Sequence, residues 1–348
     1  MFNTLFATQY PLIQAPMAGV QDAVLAVAVC EAGGLGSLPC AMLTNEQLTA
    51  QLEYITQATN KPYNVNFFCH QTPQYTKAQR TQWHALLKPY FSEFAINPKA
   101  LSTMASRQPI NQHVVDLIAP YKPPVVSFHF GLPAAAIVAQ IKRWGAKVIA
   151  SATTLQEAQW LVEHGADAII AQGLEAGGHR GHFLSSDLSL QLSTAELVKA
   201  CTKLAVPVIA AGGIASAADV KYYLQLGAAA VQVGSAYLLC EEATTSALHR
   251  DAILQQPANS TVLTTVFSGR AARGIENRIM RELGAMPQQA PAFPFASLAL
   301  SALRAKSEAQ GKSDFSPLWC GQKYIVRDAV SAAEITEELV SGNPKSTV

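Results

Sequence analysis

The sequence predicts a (β/α)8 barrel of the TIM type carrying an additional, mostly helical region on the substrate side. Three observations lead there. Eight short apolar or β-branched runs alternate with longer stretches of helical spacing, the grammar of parallel βα units. Glycines cluster directly after several of these runs, where a barrel carries its chemistry. The first run is followed by Ala15-Pro16-Met17-Ala18-Gly19-Val20 and not by the G-x-G-x-x-G that an open, doubly wound nucleotide-binding sheet commonly uses.

The eight expected strands are 11–17, 35–39, 63–68, 125–130, 147–152, 167–172, 207–211 and 229–233. The stretch 22–32 is apolar nearly all round, so its helix should be wedged between sheet and neighbours, with alanines permitting close approach. The clearest repeat is 145–173: a strand to Ala152, Thr154 as N-cap of a helix ending at Gly165, then the next strand. The same order recurs from Pro207, with a helix from about Ser216 to Leu226. Residues 69–124 are polar and Gln/Pro-rich and read as an elaborated loop with a helical stretch around Trp83–Phe91. After about 240 the period of two stops. The barrel is therefore assigned to 1–240 and a mostly helical tail, covering the carboxyl face, to 241–348, with an amphipathic run at Asn277–Leu283 and a frayed end over Ser341–Val348.

Composition narrows the function classes. Of 348 residues, 49% are apolar and 14% charged, so a disordered scaffold is excluded; ordinary domains carry about 25% charged residues. With 25 Lys+Arg against 24 Asp+Glu there is no long-range field to gather nucleic acid or an anionic membrane. The six cysteines are far apart, without zinc-ligand spacing, and read as reduced and mostly buried, with no metal site. Met1–Ala7 lacks the pattern of a secretory signal, and no run reaches the length of a membrane span, so a cytoplasmic protein is expected. A homo-oligomer is left open.

The glycine-rich strand ends are Gln172-Gly173-Leu174-Glu175-Ala176-Gly177-Gly178-His179-Arg180-Gly181, then Gly212-Gly213-Ile214, then Gly234-Ser235. Singly, such glycines are commonly turns and helix caps. Two adjacent strand ends of this kind, opening toward helix N-termini, form the barrel's usual phosphate site, and a phosphorylated ligand is expected there. No Walker motif occurs, so a nucleoside triphosphate is not implied.

Lone histidines are ordinarily surface or satisfied core residues, and His70, His84, His113, His164, His182 and His249 are read that way. His179 differs because it sits in a glycine-flanked loop at a strand's carboxyl end, where a ring titrating near neutrality can reach a ligand. His129, ending the fourth strand, is a second candidate, for the substrate or as an orienting group. Arg180 either attracts a negative substrate or is solvated. Lys323 and Tyr324 are candidates to return to the site from the tail.

Together with Gln14-Ala15-Pro16-Met17-Ala18-Gly19, Ala32-Gly33-Gly34-Leu35-Gly36, Asn66-Phe67-Phe68, Pro207–Ile214, Gln232-Val233-Gly234-Ser235 and Ser268-Gly269-Arg270-Ala271-Ala272-Arg273-Gly274, these loops resemble, in order, the nitronate monooxygenases, formerly 2-nitropropane dioxygenases. The resemblance implies a barrel holding FMN non-covalently and oxidising nitronates with O2 to carbonyl compounds and nitrite. It implies flavin contacts from Met17, Ala18, Asn66, Gln172, Gly177, Gly212, Gly213, Gln232, Val233, Gly234 and Ser235, with His179 as the catalytic histidine. Ser235 stands where the family usually has Thr, and the hydroxyl is kept. Asn66 and Gln172, with amides that both donate and accept, suit the polar edge of a flavin ring. The partners expected are a small-molecule nitronate and O2. Two rival readings are an FMN-dependent enoyl-acyl-carrier-protein reductase using NAD(P)H and a flavin- or phosphate-ligand-binding barrel without turnover. A flavin-free lyase or epimerase lacks a lysine inside a strand, since Lys147 begins its strand.

Overall fold

Eight parallel strands close on themselves: β1 (Leu12–Gln14), β2 (Gly36–Pro39), β3 (Tyr63–Phe68), β4 (Val125–His129), β5 (Lys147–Ala152), β6 (Ala168–Gln172), β7 (Val208–Ala211) and β8 (Ala230–Val233). Seven neighbouring pairs are continuous ladders, and the last seam, β1 to β2, is joined by the parallel bridge of Ile13 to Leu35, with Gln14 N–H on the Leu35 carbonyl at 3.0 Å. The computed structural model describes residues 5–105, 107–255 and 260–341. All eight expected strands are present, shortened at some ends. The (β/α)8 expectation holds.

The period of two sorts each strand between two cores. Ile13, Leu35, Val125, Ile149, Ile170 and Ile209 point inward and fill the barrel's lower half, with Phe6 from the N-terminal side packed on them. Full burial of each such side chain contributes roughly 1.5–3 kcal/mol. Their alternates, among them Leu12, Val65, Val126, Val148, Ile169 and Val231, join the larger core between strands and helices. Two residues further along, the inward positions turn polar: Asn66, Ser127, Ser151, Gln172 and Gln232. An apolar plug therefore ends where a polar floor begins.

The helix expected at 22–32 runs Ala23–Glu31, with the Asp22 carboxylate accepting from Val24 N–H at 2.9 Å. It is wedged as anticipated. A Cβ on Gly36 would lie 1.9 Å from the Ala26 carbonyl oxygen, so only glycine admits this helix to β2. The helix capped by Thr154 runs Leu155–Glu163, and the one capped by Ser216 runs Ala217–Gln225.

Three features differ from the sequence expectation. The tail does not only cover the carboxyl face. Its last helix, Ala332–Ser341, packs against helices Ala23–Glu31 and Ala217–Gln225, so it takes the eighth place in the outer ring, nearly a hundred residues after β8. Ala332, Ile335 and Leu339 enter the main core there, and the Tyr237 hydroxyl meets Thr336 Oγ1 at 2.9 Å. Ser341 thus ends a helix, while 342–348, the rest of the segment expected to fray, and Met1–Thr4 lie outside the described residues. The tail is also not purely helical: Thr261–Thr264 and Ala272–Ile275 pair antiparallel, and Gly178–His179 joins them as a third strand. Ala-Arg-Gly-Ile is too short, and alternates too little, to announce itself as a strand. Finally, the insertion and the tail share one core. Trp83, Tyr90 and Phe91, from helices Lys77–Leu86 and Lys88–Glu93, pack with Leu300 and Leu303 of helix Ala296–Glu308 and with Phe315. Ile279 and Met280 of the amphipathic helix Arg278–Leu283 belong to the same cluster.

All six cysteines are free, and five are buried. Among the described residues no helix is long and apolar enough to cross a membrane.

Candidate active site

A cavity opens at the carboxyl ends of the strands, under the insertion and the tail; within it the centre of a water-sized sphere can range over about 260 Å³. Its floor carries Asn66, Ser151, Gln172 and Gln232, the polar inward positions of the barrel. Met17 and Ala18 enter from the loop after β1, which is held by Met17 N–H on Gln21 Oε1 at 2.8 Å. Gly177, Gly212, Gly213, Gly234 and Ser235 line one side, and His129 and His179 are also in the wall. Of the residues expected to contact flavin or substrate, Val233 is the one outside the lining. It pairs in register with Gln14 on the outer face of the barrel, and its side chain belongs to the core beneath the helices.

The glycine loops form a cradle of donors. The backbone N–H groups of Gly213, Ile214, Gly234 and Ser235 have no partner among the described residues. Gly213 has φ +68°, a conformation L side chains rarely adopt, and this turn leads into the N-terminus of helix Ala217–Gln225. Ser235 Oγ accepts from Gly321 N–H at 2.8 Å, which leaves its own proton to donate. Gln232 Oε1 is buried without a partner among the described residues. These unsatisfied donors, beside one unsatisfied acceptor, suit a ligand with an anionic group at one end and a polar N–H at the other.

Gln172 is differently engaged than expected. Its Nε2 donates to the His179 carbonyl at 3.0 Å and its Oε1 accepts from Gly181 N–H at 2.8 Å, so its amide closes the 173–181 loop. His129 joins the same carbonyl through Nε2 at 3.1 Å; an oxygen that only accepts requires the proton on that nitrogen. His129 is therefore a positioning group for the loop. Asn66 donates to Ser127 Oγ at 2.9 Å.

Arg180 is neither solvated nor turned toward a substrate. It is fully buried, with Nε on Gln191 Oε1 at 2.8 Å and its terminal nitrogens on the carbonyls of Gly173 at 2.6 Å and Gln172 at 2.8 Å. Arg273 acts similarly from the neighbouring strand, donating to the Leu174 carbonyl at 2.8 Å. In the two-residue strand paired with 272–273, His179 reaches the cavity, and Arg180, the next residue, is buried. From the tail, Lys323 does reach the cavity, where Asp219 holds it at 2.7 Å, while Tyr324 packs with Leu238 and Leu239.

His179 is boxed by aromatic rings: Phe293 and Trp319 have centroids at 5.4 Å, Phe130 at 6.2 Å and Phe68 at 6.5 Å. Its Nε2 lies 2.8 Å from Ser268 Oγ. Burial, reinforced by the charge of Arg107, holds the ring well below the ordinary histidine range, so it is neutral near pH 7 and does not titrate there as the sequence reading expected. Burial likewise pushes His129 down to about 3.

Sequence reasoning missed Arg107, His249, Phe293 and Trp319. They come from the insertion and the tail, where no motif marks them. His249, read as a surface or satisfied core histidine, lines the cavity with a buried Nε2 that has no partner among the described residues. Ser268 was within reach, because it opens the Ser268–Gly274 run noted above.

The nitronate monooxygenase family model matches residues 1–342. A nitronate monooxygenase of Paraburkholderia phytofirmans is 39% identical over 96% of this chain and 92% of its own length. One from Pseudomonas aeruginosa is 38% identical over 97% of each. Among solved structures, the nitroalkane oxidase from Streptomyces ansochromogenes superposes with a TM-score of 0.88 at 32% identity, over 97% of this chain and 96% of that one. FabK from Thermotoga maritima, at 24% identity and TM-score 0.74 over 97% and 94%, shares the fold.

Proposed function

Because the chain belongs to the nitronate monooxygenase family, a family of oxidoreductases, we propose that it binds FMN and oxidises alkyl nitronates, such as propionate 3-nitronate, with O2 to a carbonyl compound and nitrite. The observation that carries this reading is the meeting, in one cavity, of a cradle of unpartnered backbone donors and a neutral imidazole set in an aromatic box. The donors of Gly213, Ile214, Gly234 and Ser235 would hold the phosphate, and the orphaned Gln232 Oε1 would accept an N–H of the ring. Met17, Ala18, Asn66, Gly177 and Gly212 would complete the flavin's surroundings. Gln172 would contribute by fixing the loop.

When bound, FMN supplies the two-electron acceptor and the chemistry with O2. The chain's residues do the rest. The aromatic walls around His179 exclude water from the reacting carbon. A nitronate has already lost its α-proton, so His179 has only to hydrogen-bond the nitro group. With a neutral nitroalkane, the unprotonated imidazole can take that proton. His129 and Gln172 keep the His179 backbone in place meanwhile.

The test is direct. The purified protein should show the absorption of an oxidised flavin, and propionate 3-nitronate added in air should produce oxygen uptake and nitrite. Colourless protein that takes up no FMN, or flavin bleached by NADH with an enoyl thioester and no nitrite from any nitronate, overturns the reading.

A further inference from the structure

The cavity wall contains three cations outside the histidines: Arg107, Arg304 and Lys323. Two are neutralised. Arg304 meets Glu308 at 2.7 Å and Lys323 meets Asp219 at 2.7 Å. Arg107 has no carboxylate partner among the described residues, where the one hydrogen bond of its guanidinium is a long contact of 3.3 Å from NH1 to Ser297 Oγ. The other arginines near His179 are engaged by carbonyl oxygens or by an aromatic face: buried Arg180 on Gly173 and Gln172, half-buried Arg270 on His182 and over the Phe130 ring at 4.0 Å.

Removing a charge from water without a counter-charge is costly, and such groups are ordinarily paired. A half-buried guanidinium in the wall of a cavity, with four of its five N–H donors unused among the described residues, is compensated when an anion enters. Arg107 and His179 both lie against the Phe293 ring. The Arg107 guanidinium carbon lies 5.8 Å from the Phe293 centroid, and the His179 ring lies 5.4 Å from the same centroid. Their electrostatic coupling agrees: Arg107 is the foremost charge holding His179 neutral.

We infer that Arg107 is the specificity-determining residue of this pocket, pairing through its planar fork with the two oxygens of an ionised nitro group beside His179, and thereby favouring nitronates over neutral nitroalkanes. The match is geometric as well as electrostatic, because a nitronate presents two coplanar oxygens sharing a negative charge, as a carboxylate does. A neutral nitroalkane carries the same two oxygens without the net charge, so it gains less. Arg107 arises from the 69–124 insertion and not from a barrel strand, so substrate preference is set by an element separate from the one that holds the coenzyme.

This inference rests on the nitronate-oxidising reading above, and its test separates the two. The flavin-loaded protein as purified is compared with its Arg107→Met and Arg107→Lys variants, using ethylnitronate, nitroethane, and nitrite as a non-reacting anion whose binding is followed by the perturbed flavin spectrum. In Arg107→Met the KM for ethylnitronate and the Kd for nitrite should rise about tenfold or more, the loss of a charge-assisted pair. The affinity for nitroethane, as substrate or inhibitor, should stay within about twofold, since no net charge is lost. Arg107→Lys, which keeps the charge without the fork, should recover part of the nitrite affinity. If the wild type consumes ethylnitronate while Arg107→Met leaves its KM and the nitrite Kd unchanged, or weakens nitroethane equally, the inference fails and the functional reading stands. If the wild type does not consume ethylnitronate but Arg107→Met still abolishes nitrite binding, the functional reading fails and the anion receptor stands.

Discussion

The Nε2 atom of His179 lies 2.8 Å from the hydroxyl of Ser268, a residue 89 positions further along the chain. Ser268 has one proton to give and two acceptors within reach, the imidazole and the Arg270 carbonyl at 3.2 Å. When the proton turns to the carbonyl, His179 donates from Nε2 and keeps its lone pair on Nδ1; when it turns to the ring, the reverse tautomer holds. The serine therefore selects which ring nitrogen can act as a base. Ser268→Ala should lower kcat with nitroethane by roughly five- to tenfold, the worth of one hydrogen bond, with little change in the KM for a nitronate that needs no base. Ser268→Thr should restore it. Steady-state kinetics together with the 15N shifts of the ring check this, and an unchanged tautomer balance in the alanine variant refutes it.

His179→Asn should reduce nitroalkane turnover by about 10²–10⁴-fold, the range of general base catalysis, and leave flavin content intact. The cradle of Gly213, Ile214, Gly234 and Ser235 belongs to other loops and does not depend on the imidazole. Flavin-to-protein absorbance ratio and nitrite release measure the two halves separately. Turnover equal to wild type removes His179 from the chemistry.

Acid should destabilise the fold before any carboxylate is titrated. Burial holds His129 and His182 down to about 3 and His70 and His249 to about 4, against 6.5 in an open chain. Between those values the unfolded chain binds protons that the folded chain refuses. Stability is therefore complete above about pH 6.5 and is lost as the pH falls toward the folded values. The Tm should drop steadily from about pH 7 to about pH 5, with net proton uptake on unfolding over that interval. A Tm flat across it contradicts the burial of these rings.

Arg180→Met should loosen the 173–181 loop although Arg180 itself is not in the cavity wall. It deletes hydrogen bonds to Gln191, Gly173 and Gln172, taking the guanidinium from the Gln172 carbonyl and leaving the Gly173 carbonyl with the Ala176 N–H at 3.1 Å. A destabilisation of about 3 kcal/mol or more is expected, read from denaturant unfolding, with loss of protection from amide exchange concentrated in 173–181. A variant as stable as wild type would mean that the loop is held by its strand pairing alone.

Much of the barrel was legible because its information is local. Ile149 or Ile209 is inward by strand alternation, and Thr154 and Ser216 mark helix starts by their own hydroxyls. The glycine runs after β6, β7 and β8 marked the cavity for the same reason. Val233 shows the limit of such reading: it lies between two lining residues, yet strand alternation turns it outward. Arg180 shows another. A charged residue next to a candidate base reads as electrostatic help, and only the pairing of 178–179 with 272–273 reveals that it faces protein carbonyls instead.

By itself, then, the chain's order of residues determined the barrel, the strand ends that carry the site and the histidine at its centre, since each follows from periodicity and turn chemistry over a few neighbouring positions. Tertiary structure alone decided what surrounds that histidine. Arg107, Ser268, Phe293 and Trp319 converge on it from segments up to about two hundred residues apart, brought together by a shared core between insertion and tail that leaves no local signature. The same long-range closure returns Ala332–Ser341 to the helix ring, because an apolar face is satisfied by whichever segment reaches the gap, however distant in the chain.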